Sequence, residues 1–108
     1  EEMKGYTFPA LVTSQNLIDN NPNAARAAIK AVQSAQKALK EDPNRATAIG
    51  RKLFPPAEAA MIAELIRRDL PFYDSFISEN NVASMNQFAR SLGLLSKPVS
   101  YKEVVWTG

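Results

Sequence analysis

Tyr6-Thr7-Phe8-Pro9-Ala10-Leu11-Val12, a polar turn, and then Pro22 to Lys40 form the stretch that decides how the chain is read. Residues 6–12 carry aromatic and β-branched side chains behind Gly5, the composition of a short strand. Pro9 lacks a ladder N–H, which makes that strand an edge or a short one. A lone strand cannot stand by itself. It either adds to a sheet from elsewhere or serves as an extended arm. Thr13 or Ser14 can cap a short helical turn bearing Leu17 and Ile18. Asn21 is placed to cap the next helix, with Pro22 at the first position, where a missing N–H costs nothing. Over 22–40 the apolar positions Ala25, Ala28, Ile29, Val32, Ala35 and Leu39 repeat at three-four spacing and form one stripe. Arg26, Lys30, Lys37 and Lys40 fall on the wet side.

Working outward, Asp42-Pro43 repeats the cap-and-proline device and predicts a helix over 43–53 that buries Ala46, Ile49 and Leu53. Pro55-Pro56 ends it and opens a helix over 56–69, carrying Met61, Ile62, Leu65 and Ile66. Glu64 and Arg68 are spaced for a solvent-side pair. Pro71 stops that helix. Phe72 to Ile77 reads as an aromatic connector pinned to the core by its rings. Ser78 caps a helix over 79–92 with Val82, Met85, Phe88, Ala89 and Leu92 on one face, and Gly93 is its left-handed cap. Leu94-Leu95 packs back, Lys97-Pro98 turns, and Ser100-Tyr101-Lys102-Glu103 is a capping box for a last short helix through Trp106. The expectation is one mostly α region over 1–108, a short N-terminal strand followed by about five helices.

Composition narrows the chemistry. The chain has 108 residues and 45% hydrophobic content, enough for one packed domain. Thirteen basic against eleven acidic residues, spread over every helix, leave no footprint for nucleic acid. Histidine and cysteine are both absent, which removes disulfides, thiolates, the usual zinc sites and imidazole bases together. No apolar run approaches a membrane span. The opening Glu1-Glu2-Met3-Lys4-Gly5 is charged where a signal peptide needs an apolar region, and it suggests a processed or excised chain.

The remaining polar groups have plainer readings. Asp42 is a helix cap, and Asp69 and Asp74 sit at a helix end and in a loop, so no carboxylate pair converges as in a glycosidase. Ser96-Lys97 lies in a turn before proline and makes a poor hydrolase dyad. The four glycines stand alone, with no phosphate loop among them. Arg51-Lys52 and Arg67-Arg68 could meet an anion but read as solvated faces. Phe72, Tyr73 and Phe76 could stack a ligand but read as core anchors. The alanine stripe could dock a partner, although tight internal packing needs the same small residues. From these patterns alone the chain is a helical domain without an acid–base or nucleophilic set, and not an enzyme.

Two stretches together resemble a known family. One is Leu11-Val12-Thr13-Ser14, Asn21-Pro22, Ala31, Ala35 and Leu39, followed by Asp42-Pro43. The other is Phe88-Ala89, Leu92-Gly93-Leu94, Pro98-Val99-Ser100-Tyr101 and Val104-Val105. Their order resembles the C-terminal part of solute-binding proteins of ABC importers, in the nitrate/sulfonate/taurine and thiamine-precursor-like group. The likeness spans nearly all 108 residues, and its motifs are caps and turns rather than chemistry. It implies a two-lobed α/β fold with ligand in the cleft, of which this chain is the last, helical part. It also implies a small anion or polar organic ligand, membrane subunits of an importer as partners, and a periplasmic or extracellular membrane-associated setting. No cofactor or metal is implied. Tyr6, Thr7 and Phe8 would lie nearest the hinge and are the candidate ligand-binding residues. Two features depart from the family: no sheet is present to receive the strand, and a lobe fragment would expose apolar surface that drives homodimerisation or swapping. The alternative is an independent helical protein–protein interaction module.

Overall fold

A computed structural model describes residues 9–108. The chain is mostly helical, with six α-helices and no strand among the described residues. The helices are α1 (Gln15–Asn20), α2 (Pro22–Glu41), α3 (Asn44–Leu53), α4 (Pro56–Asp69), α5 (Glu79–Ser91) and α6 (Tyr101–Val104). A 3-10 turn, Leu70–Phe72, follows α4. Residues 9–12 are irregular, so the strand expected over 6–12 does not extend into them. Its first three residues lie outside the described ones.

The caps decide where each helix begins. Ser14 caps α1, accepting from the Leu17 N–H at 3.2 Å. Asn21 Oδ1 accepts from the Ala24 N–H at 3.2 Å, and Pro22 opens α2 as its first residue. Asp42 Oδ1 accepts from the Asn44 N–H at 3.0 Å, and α3 starts at Asn44, one residue after the expected proline. Ser78 and Asn81 form a reciprocal box at α5: the Asn81 N–H donates to Ser78 Oγ at 3.0 Å, and the Ser78 N–H to Asn81 Oδ1 at 2.8 Å. Gly93 ends α5 at φ 74°, and the Leu94 N–H reaches back to the Ala89 carbonyl at 2.8 Å.

The chain divides into two compact units. One holds residues 26–75: most of α2, then α3, α4 and the 3-10 turn. Here α3 and α4 form an antiparallel hairpin joined by Phe54-Pro55. Its contact line is made of small residues, with Gly50 of α3 against Ala59 of α4. Gly50, Ala59 and Ala63 are buried. The large side chains expected inside are not. Ile49 is 57% exposed, Leu53 69%, Met61 59% and Leu65 41%, while Ile62 and Ile66 are half-buried. Glycine and alanine let the two backbones approach closely, and that approach turns the larger stripe away from the contact.

The other unit comprises residues 9–25 and Phe76–Gly108. A side-chain amide holds its tail in place. Asn86 Nδ2 donates to the Val99 carbonyl at 2.7 Å, and the Val99 N–H donates to Asn86 Oδ1 at 2.9 Å. The Tyr101 hydroxyl donates to the Ile77 carbonyl at 2.8 Å, tying α6 to the segment before α5. The expected capping box forms at Ser100, with Glu103 accepting from the Ser100 N–H at 2.9 Å. The last helix stops at Val104, short of the Trp106 expected.

Three further expectations are corrected. Phe72 is 83% exposed and Phe76 is also exposed, so these rings of the connector are not core anchors; Tyr73 is half-buried. Along α2 only Ala25 is buried, and Ala28, Val32 and Ala35 remain exposed. Arg68 turns from Glu64 to its neighbour Asp69, at 2.7 Å.

Candidate interaction surface

Tyr6, Thr7 and Phe8, the candidate ligand-binding residues, lie outside the described residues. The surfaces that can be built from side chains lie elsewhere, and the best defined is the α3–α4 hairpin. At about 100° per residue, Ile49 and Leu53 fall on one side of Gly50, and Thr47 and Arg51 on the other. In α4 the same division puts Ile62 and Leu65 on one side of the Ala59–Ala63 line and Glu64 and Arg67 on the other, while Met61 lies on the face opposite it. Antiparallel pairing brings like sides together. The hairpin therefore has one polar flank and one mixed flank, where Glu58 and Asp69 share the stripe of Ile62 and Leu65.

The polar flank is an open groove lined by Thr47, Arg51, Ala60, Glu64 and Arg67. Arg67 spans the two helices there: its Nη2 donates to Asn44 Oδ1 at 3.0 Å and to Thr47 Oγ1 at 3.4 Å. The acceptors are neutral, so Arg67 acts as a cross-brace rather than an ion pair. Glu64 sits in the same groove and offsets one of its two guanidinium charges. The groove therefore has no strong preference for anions. A second open groove runs along α5 and the tail, lined by Asn86, Gln87, Arg90, Ser91 and Ser96. Asn86 is committed there to Val99.

Titration is perturbed at a few surface groups. The hydrogen bond from Arg68 holds the Asp69 carboxyl below its usual value, and the same bond raises Arg68. Hydrogen bonds from the Ser100 hydroxyl and N–H lower Glu103. All three are structural: a charged neighbour or a cap accounts for each, and none faces a cleft. Among the described residues, no group of three or more carboxylates could hold a metal ion, and no helix is long and apolar enough to cross a membrane.

Sequence reading missed the Arg67 brace, the Asn86–Val99 clamp and the Tyr101–Ile77 bond. Each joins residues 13 to 24 positions apart and has no local signature. The division of the hairpin into two flanks was available from its periodicity once Gly50 was taken as the contact residue. Compared with known proteins, the chain matches no family model, no curated protein and no solved structure.

Proposed function

We propose that the chain is the helical C-terminal region of a solute-binding protein serving an ABC importer, with its helices acting as scaffold for one lobe. The observation that carries the proposal is the open apolar surface around the α5 unit. Leu11, Val12, Leu92 and Leu94 are all more than half exposed there, although the tail itself is firmly tied by Asn86 and Tyr101. A well-ordered helical unit that leaves such side chains in water is suited to packing against more protein. Side-chain caps at Ser14, Asn21 and Asp42 and the left-handed Gly93 fall at positions the resemblance uses.

In this reading a β-containing lobe covers α2 and α5, and the helices keep that lobe rigid while the two lobes hinge closed on ligand. The ligand is a small anion or polar organic of nitrate, sulfonate, taurine or pyrimidine type, and the docking partners are importer membrane subunits. The setting is periplasmic or extracellular at the membrane. The test is calorimetric titration of the protein containing this chain against that panel. Saturable binding to one member is expected. A folded protein that binds none of them contradicts the proposal. The exposed Ala28, Val32 and Ala35 of α2 favour a second reading, an independent helical module docking a partner along that stripe. A stable, monomeric 108-residue chain that captures a partner helix would favour it.

A further inference from the structure

We infer that the groove between the C-terminal half of α5 and the tail at residues 94–98 is a binding site for a phosphate-type oxyanion, held by Arg90, Ser96 and Lys97. The inference is independent of the proposed function. At about 100° per residue, Ala83, Gln87 and Arg90 lie on the side of α5 that faces away from Phe88 and Leu92, so covering the apolar side leaves this one open.

The walls of the groove are fixed before any ligand arrives. Asn86 holds the Val99 backbone through both its donor and its acceptor, at 2.7 and 2.9 Å. The Leu94 and Leu95 N–H groups both reach the Ala89 carbonyl, at 2.8 and 3.3 Å. What these walls present is donors. The side chains of Gln87, Arg90, Ser96 and Lys97 make no hydrogen bond or ion pair among the described residues, and the Ser96 and Lys97 N–H groups are equally unpartnered. The acceptors at the same end are taken. The Phe88 carbonyl accepts from the Leu92 N–H at 3.2 Å and from the Ser91 hydroxyl at 2.7 Å, and the Arg90 carbonyl accepts from the Gly93 N–H at 3.0 Å. The negative end of the helix is thereby blunted.

Charge points the same way. Between Glu79 and Glu103 the chain has no acidic residue, while Arg90, Lys97 and Lys102 all fall in that span. Among the described residues no carboxylate lines the groove. Glu103 is committed to the Ser100 hydroxyl and N–H. Glu79 starts α5, about 16 Å from Arg90 along the helix axis and beyond the screening length of about 8 Å at physiological salt. Arg67 and Arg68 each have acceptors in the protein, and Arg90 has none. Two cations match the charge of a phosphate dianion, and a guanidinium fork beside a hydroxyl and two backbone N–H groups supplies donors to several of its oxygens.

Titration of the chain with inorganic phosphate, followed by amide NMR shifts at a constant ionic strength of about 0.15 M, tests this. Saturable millimolar binding is expected, with the largest shifts at Gln87, Arg90, Ser96 and Lys97. Arg90→Gln should raise the dissociation constant at least about tenfold. Arg90→Lys, which keeps the charge and loses the fork, should fall between. Ser96→Ala should weaken binding, and Arg45→Gln, the same charge change in the other unit, should leave it unchanged. Helicity by circular dichroism should hold throughout, because the Arg90 side chain is exposed and unpartnered; if Arg90→Gln lowers it, Ser96→Ala and Arg90→Lys decide. Flotation with vesicles containing phosphatidic acid separates the sources: retention displaced by free phosphate assigns the site to a lipid headgroup, and no retention assigns it to a soluble phosphate. Shifts scattered over the lysines and arginines of the whole chain overturn the inference. So do binding indifferent to Arg90→Gln and a chain that binds no phosphate at this ionic strength.

Discussion

Replacing Gly50 with alanine should stabilise the chain, although Gly50 is buried at a helix–helix contact. A Cβ built at this position meets Ala59 Cβ at 3.8 Å, Ala59 Cα at 3.9 Å and the Ala59 carbonyl oxygen at 4.0 Å. These are ordinary van der Waals separations, so nothing has to move. Against that neutral packing term stands a gain in backbone entropy. Glycine inside a helix costs roughly 0.5–1 kcal/mol relative to alanine. The new methyl group also fills contact space. Gly50→Ala is therefore expected to add about 1 kcal/mol, measured by urea denaturation with far-UV circular dichroism at fixed protein concentration. In thermal melts the midpoint should rise by about 4–8 °C. Gly50→Leu is the paired control, since the additional carbons must enter the α3–α4 contact and cost roughly 1–3 kcal/mol by overpacking. Destabilisation by Gly50→Ala of about 1 kcal/mol or more would refute the reasoning, because the helices would have to cross closer than these distances allow.

Other outcomes follow from the tail and the caps. Asn86→Ala removes both hydrogen bonds to the Val99 backbone and should cost about 2 kcal/mol, with amide exchange accelerating at Val99 first. Asn86→Asp keeps the acceptor for the Val99 N–H, loses the donor to its carbonyl, and should also destabilise. Ser78→Ala loses the α5 cap and should cost about 1 kcal/mol in chemical denaturation. The lowered Glu103 carboxyl contributes stability that is present above its unfolded value and lost as pH falls through the lower folded value. NMR titration of that carboxyl should therefore give an apparent pKa below the ordinary glutamate range, and Ser100→Ala should move it back up.

The limits of each helix were legible because they are local events. Ser14, Asn21, Ser78 and Gly93 act within three to five residues of themselves and were found in the expected roles, while Asp42 binds the Asn44 N–H with α3 starting one residue later than expected. The buried face of α3 and α4 was not legible. Periodicity gives weight to large apolar side chains and so pointed to Ile49, Leu53, Met61 and Leu65. The contact instead runs along Gly50, Ala59 and Ala63, where close backbone approach favours small residues over area. Arg68 illustrates the same limit at the surface. Helical spacing offered Glu64, but the adjacent Asp69 presents both carboxylate oxygens to its guanidinium, at 2.7 and 3.0 Å. Of the candidate site, Tyr6, Thr7 and Phe8 rest on resemblance alone.

The scaffold reading requires the open apolar side chains of α2 and the α5 unit to be covered by additional chain in the native protein. The most direct measurement is the denatured mass of the protein in its source cells, followed with an antibody against residues 22–41. The account predicts a single chain well over twice 11.9 kDa that contains this sequence. A native chain of 11.9 kDa would contradict it and leave these helices to act without a lobe to support.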